Sequence, residues 1–201
     1  MTIHRPGRPE FEWVGGALCL DLANTVSRVT ADQREERLSR WRDLAAWARA
    51  GGLPGAGPRP RPLSARQSLN RVHRFRTTLH QIFDAVASGG PPPAAAVRAL
   101  EGALEATRRQ LRLRPGGDTW SWQWRAGVPL ADRIVGAAAR SAEVLLTSGE
   151  ISRVRHCANV RCGWLFVDRS RGHRRRWCDM KVCGNNAKAR AFYARRKRDA
   201  P

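Results

Sequence analysis

The chain has 201 residues, 42% of them hydrophobic, which suits one domain of ordinary size plus a small one and excludes a disordered composition. Its formal net charge of +20 points toward polyanionic partners. No run approaches the roughly 20 apolar residues of a membrane span, and the first residues lack the apolar stretch of a signal peptide. Five cysteines, an odd number, argue against a disulfide framework and for a reducing, cytoplasmic setting. The charge is uneven: from Ile151 to Pro201 there are 15 Lys and Arg against 3 Asp, more than half of the whole excess. Arginine richness in the first 150 residues also fits a general compositional bias. Such a bias does not explain why all three lysines, Lys181, Lys188 and Lys197, fall in the final segment.

In chain order, residues 1–12 read as a loose leader. Gly15-Gly16 then punctuates a turn. Leu18, Leu22 and Thr25, with Cys19 and Ala23 beside them, repeat at helical spacing and predict a buried helix. Asp21 and Asn24 are polar groups inside this apolar stretch. Either they satisfy backbone groups, or they line a pocket for a small-molecule effector. Cys19 reads as a small core residue. Ser39 to Gly52 predicts a short amphipathic helix, with Ser39 as N-cap, Gly51-Gly52 as stop, and Trp41, Leu44, Ala45 and Ala48 on one face. Residues 51–62 form a Gly/Pro loop.

Ser64 to Ala87 predicts a long helix burying Leu69, Val72, Phe75, Leu79, Ile82, Phe83 and Val86. His73 and His80 share a face of it as surface or partly buried residues. Ala94 to Leu113 predicts the next helix, with Val97, Leu100, Leu104 and Leu111 inward and a turn at Pro115-Gly-Gly. Trp120-Ser-Trp-Gln-Trp124 alternates every second residue and predicts a strand. Its tryptophan row is expected to pack against the helices; stacking on nucleic-acid bases is the alternative. Pro129 to Leu146 predicts a last helix burying Leu130, Ile134, Ala137, Ala138, Val144 and Leu145. No nucleophile-and-base pair, phosphate loop or paired catalytic carboxylates stands out, so no enzymatic activity is expected; the alternative is an enzyme or small-molecule binder in the helical domain, with Asp21, Asn24 and the tryptophans lining its pocket. The fold class expected is mainly α with a small β-hairpin or strand element: a helical domain over 13–150 and a second module over 151–201.

That second module carries the strongest motif. Cys157-x4-Cys162 and Cys178-x4-Cys183, fifteen residues apart, have the spacing of four thiolates converging on one tetrahedral ion, for which Zn²⁺ is the expected cofactor. His156 and His173 are alternative ligands. Trp164–Asp168 is strand-like, Arg169–His173 a turn, and Arg174–Cys178 a returning strand; knuckle, hairpin and helix give a treble-clef-like order. About 45 residues with so few apolar groups cannot fold on their own core, so bound metal supplies the missing stability, on the order of 10 kcal/mol. Gly163 and Gly184, each directly after a ligand, permit tight turns. After Cys183 comes a basic helix whose Ala189, Phe192 and Tyr193 define an apolar arc, expected to pack on Trp164, Phe166 and Trp177. The candidate nucleic-acid contacts are Arg174, Arg175, Arg176, Lys181, Lys188, Arg190, Arg195 and Lys197 for phosphates, and Asn185 and Asn186 for base edges or as helix caps.

The order Cys157-x4-Cys162-Gly-Trp-Leu-Phe-Val-Asp, then Arg175-Arg-Trp-Cys-Asp-Met-x-x-Cys-Gly-Asn and Ala-Lys-Ala-Arg, resembles the CGNR zinc-finger proteins. Gly15-Gly-x-Leu-Cys-Leu-Asp-x-x-Asn-Thr25 resembles the start of their amino-terminal ABATE domain. The resemblance implies a stress-induced transcription regulator, a helical domain followed by a DNA-binding finger. One position departs from it: the name-giving Cys-Gly-Asn-Arg reads Cys183-Gly-Asn-Asn186 here, which alters a contact and leaves the metal ligands intact. The partners expected are duplex DNA, with RNA as the alternative, a second copy of the chain, and an effector.

Overall fold

The long stripe of α3 (Pro62–Ala87) is the floor on which the protein is assembled in a computed structural model that describes residues 11–28, 34–53, 62–159 and 162–198. Val72, Phe75, Leu79, Ile82 and Phe83 are buried along one face, as the helical period requires, while Leu69 and Val86 at its ends are half-buried. Against α3 lie α1 (Leu18–Ala23), α2 (Trp41–Ala50), α4 (Ala94–Gln110) and α5 (Leu130–Thr147). A six-residue helix such as α1 does not hold in water alone. It forms because Cys19, Leu20, Leu22 and Ala23 are all buried between α3 and α5. Helix α2 buries Leu44, Ala45 and Ala48 as expected, together with Trp47. Ser39 is not its N-cap. The Ser39 hydroxyl donates to the Glu36 carbonyl, and the helix starts instead where Asp43 accepts the Arg40 N–H at 2.8 Å, an acid in the first turn facing the helix dipole.

Two short strands, β1 (Val26–Arg28) and β2 (Arg34–Glu36), pair antiparallel after α1. Glu36 is fixed by the buried Arg76 of α3, which donates to it at 2.8 Å and to Thr25 at 3.0 Å. Beyond α4 the structure corrects the expected helix. The helix stops at Gln110, and β3 (Leu111–Gly116) pairs with β4 (Thr119–Trp124) in a hairpin turning at Gly117-Asp118. The apolar residues at 111 and 113 alternate with Arg112 and Arg114, a period of two, and their partners Trp124 and Trp122 complete the same face. That tryptophan row is not core: Trp120 is 66% and Trp122 56% exposed, because only the root of the hairpin reaches the helices. On α5 the buried stripe is Ile134, Ala138, Ala142 and Leu145; Val144 lies a hundred degrees off it and is exposed.

A 3₁₀ turn (Gly149–Arg153) leads into β5 (Val154–His156), which pairs antiparallel with β6 (Leu165–Val167). The hairpin therefore forms across the first cysteine pair, not between Trp164–Asp168 and Arg174–Cys178 as the sequence suggested. Val154 and Val167 pair and bury together, whereas three consecutive arginines offer Arg174–Trp177 nothing comparable; that segment contributes the Arg176 carbonyl to the Ala158 N–H at 2.8 Å. A π turn (Met180–Gly184) precedes α6 (Asn185–Arg198). Strand β6 serves two cores. Leu165 and Val167 join the main helical cluster, while Trp164 and Phe166 join the four cysteines in a second one. Alternation along an extended strand puts neighbours on opposite faces, so one strand carries both.

Candidate metal centre and its basic surround

Each cysteine is placed by its own turn. Cys157 follows β5 and donates its N–H to the Trp164 carbonyl at 2.8 Å; Cys162 closes the knuckle by donating to the Asn159 carbonyl at 2.8 Å. Gly163, at φ 70°, takes the left-handed conformation that turns the chain back into β6. The second pair is organised by Asp179. Its carboxylate accepts the Val182 N–H at 2.8 Å and its carbonyl accepts the Cys183 N–H at 3.0 Å. At Gly184 an added Cβ would meet the Met180 sulfur, the end of a flexible, half-exposed side chain that would have to move aside.

All four thiols are buried, free of disulfides, and within 4.8 Å of one another; Cys162–Cys178 and Cys178–Cys183 are 3.6 Å apart. A tetrahedral ion with metal–sulfur bonds of about 2.3 Å sets its sulfurs about 3.8 Å apart. The donor set fits such an ion. The thiols also perturb one another. Hydrogen bonds from Cys162, Cys178 and Cys183 hold Cys157 well below the ordinary thiol range. Cys162 and Cys178 are pushed up, chiefly by Cys157. At Cys183 the upward push of Cys157 is outweighed by Cys162 and Cys178, and the thiol is lowered to about 7. His156 lies instead beside Asp84 at 3.6 Å, and His173 beside the Asp168 carbonyl at 3.1 Å, so neither belongs to the group.

Two residues that the motif reading did not single out support this centre. Asn159 donates to the Cys183 sulfur at 3.5 Å and accepts from Arg190 of α6 at 2.8 Å, tying the basic helix to the cluster. Asp168 is fully buried; burial pushes its carboxyl up, but the Ser170 hydroxyl and the N–H groups of Ser170 and Arg175 hold it below the usual range. A polar residue inside each motif was the available signal.

The candidate nucleic-acid contacts separate. Arg174, Arg176, Lys181, Lys188, Asn185 and Asn186 are exposed, with Arg176 lying over the Trp177 ring at 5.3 Å. Arg175 turns inward: it donates to the carbonyls of Trp177 (2.9 Å), Val14 (3.3 Å) and Cys178, and its guanidinium covers Phe166 at 4.4 Å. These contacts hold the loop that carries it. The side chains of Arg195 and Lys197 lie outside the described residues. Phe192 and Tyr193 are 48% and 68% exposed, a correction to the expected apolar arc, and Arg190 ties α6 to Asn159.

Asp21 and Asn24 find backbone partners. Asp21 accepts the Gly15 N–H at 2.8 Å, and burial pushes its carboxyl up to about 6. Asn24 both donates to the Leu165 carbonyl (2.8 Å) and accepts the Leu165 N–H (2.9 Å), stitching α1 to β6. An open cleft of about 610 Å³ lies elsewhere, lined among others by Trp13, Arg174, Arg176, Trp177 and Met180.

A helical domain that shares a strand with a basic four-cysteine finger defines the class. The family model described as "Putative stress-induced transcription regulator" (ABATE) matches residues 16–149, and the CGNR zinc-finger model matches residues 153–196. The chain belongs to the ABATE family, with a CGNR zinc finger following its helical domain. No curated protein is significantly similar to it. No helix among the described residues is long and apolar enough to cross a membrane.

Proposed function

We propose that the protein is a zinc-dependent, DNA-binding transcription regulator. In this reading the finger contacts the phosphate backbone and the helical domain senses a ligand or self-associates. The observation that carries the reading is the convergence of four buried thiols in a segment whose Arg174, Arg176, Lys181 and Lys188 are exposed. A closed four-thiolate site favours Zn²⁺ and leaves no open position for catalysis. The ion would hold the loop that presents the arginines, and it would be held by Cys157, Cys162, Cys178 and Cys183. The family description supports regulation.

Binding of the full chain to duplex DNA, followed by anisotropy across a salt series with and without chelator, tests this. Four cations each meeting one phosphate give a slope of log K against log salt of about −3.6. Arg174→Ala with Lys188→Ala should flatten that slope by about 2. A zinc-loaded protein that ignores duplex DNA at low salt sinks the reading, and preference for a competing RNA duplex moves the function to RNA.

A further inference from the structure

The β3–β4 hairpin presents an apolar face whose outer part nothing in the described structure covers. Cross-strand pairing puts Leu111 with Trp124, Leu113 with Trp122, and Pro115 with Trp120, six apolar residues on one side. The root is anchored: the Trp124 ring lies against Gly136 of α5, where an added Cβ would meet it at 2.6 Å. Beyond the root, Leu113 is 48%, Trp122 56% and Trp120 66% exposed. With tryptophan burying up to about 250 Å², these three alone expose roughly 400 Å², the size of patch that marks an interaction site on a soluble protein. A two-stranded ribbon projecting into water is also marginal without a covering layer.

The arrangement of charge says what covers it. A platform that stacks single-stranded bases carries its cations beside the rings, to hold the phosphates. Here Arg112 and Arg114 occupy the reverse face, paired with Gln123 and Ser121, and the tryptophan face carries no charge. Two copies of a chain with net charge +20 can meet through such a face, because their arginines then point away from the seam. The face is also complementary to itself. Large side chains lie on β4 and smaller ones on β3. A two-fold axis along the ribbon would set the tryptophans of one copy over Leu113 and Pro115 of the other, large against small. Two patches of roughly 400 Å² bury about 800 Å² in all, below the roughly 1,000 Å² of a standing interface, so the association belongs among weak, transient dimers.

We infer that this hairpin face is the dimerisation surface of the protein and that its occupant is the same face of a second copy. The inference rests on the self-association part of the proposed function and not on DNA binding. Sedimentation velocity of the metal-loaded full chain over a dilution series, at high salt, reads it directly. The wild type should pass from dimer to monomer at micromolar concentration. Trp120→Arg with Trp122→Arg should remain monomeric at concentrations at least about 20-fold higher, with unchanged far-UV dichroism and metal content. Arg112→Ala with Arg114→Ala should still dimerise. In the wild type, acrylamide quenching of tryptophan fluorescence should fall as concentration rises; this measurement, with Leu113→Lys, decides the question if the double-tryptophan variant does not fold. A wild type that stays monomeric throughout, or a folded tryptophan variant that still dimerises, overturns the inference. Loss of DNA binding by the tryptophan variant of a monomeric wild type does so too, and gives the face to nucleic acid. A dimer that binds no DNA leaves the inference standing and removes the proposed function instead.

Discussion

Asp21 is a carboxyl in the wrong solvent. It is 8% exposed, in the middle of α1, and burial outweighs its hydrogen bond from Gly15, raising it to about 6. In the unfolded chain it titrates near 4. The folded state therefore binds the proton more tightly, and the stability this gives is full below about pH 4 and lost as pH rises through about 6. Asp21→Asn keeps an oxygen for the Gly15 N–H and carries no charge. It should be more stable than the wild type by about 1–2 kcal/mol above pH 7, with the gap closing toward pH 4; thermal denaturation at the two pH values measures it. At this scale the sequence marked the right residues without choosing their roles. Polar groups inside an apolar helix announce themselves, but the partner of Asn24 is 141 residues away and leaves no local trace. The four cysteines needed no partner to be legible, because their spacing alone encodes the convergence.

Helices α2, α3 and α5 were legible because each buries one stripe at the helical period. The hairpin was half legible: its alternation predicted β4, yet alternation states only that one face differs from the other and not that the face is covered. Its position depends on a contact between elements. Thr107 of α4 and Trp124 of β4 both lie where a side chain on Gly136 would stand, each at 2.6 Å. On helix propensity alone Gly136→Ala should stabilise α5 by up to about 1 kcal/mol. Overpacking opposes this with about 1–3 kcal/mol, since the neighbours are a buried threonine and an anchored indole. The variant should therefore be destabilised, with its loss of urea midpoint accompanied by increased solvent exposure of tryptophan fluorescence as the hairpin root lifts. A stabilised variant with unchanged fluorescence would mean that the hairpin is not seated on α5. Strand β5 escaped the sequence reading for a related reason: three residues are too few to show a period, and the pairing with β6 is decided by the helices that cover both.

In the whole molecule the helical domain and the finger are not independent bodies, because β6 turns Leu165 and Val167 to one core and Trp164 and Phe166 to the other. Trp164 also donates to the Val26 carbonyl at 3.0 Å, and Arg37 lies over its ring at 5.3 Å. If the shared strand couples the two cores, a metal that organises the second stabilises the first, and damage to the first weakens the metal by the same free energy. Asn24 is the place to measure this, since it hydrogen-bonds the Leu165 backbone of β6 and lies outside the thiol cluster. Asn24→Ala leaves a buried N–H and carbonyl without their partner, at a cost of about 2–3 kcal/mol. If β6 transmits the strain, zinc affinity measured against a competing chromophoric chelator falls about tenfold. The destabilisation measured by urea is then about 1.4 kcal/mol larger in the loaded protein than in the stripped one, closing the cycle. An unchanged affinity, with equal destabilisation in both forms, would show two cores that share a strand but not their free energy.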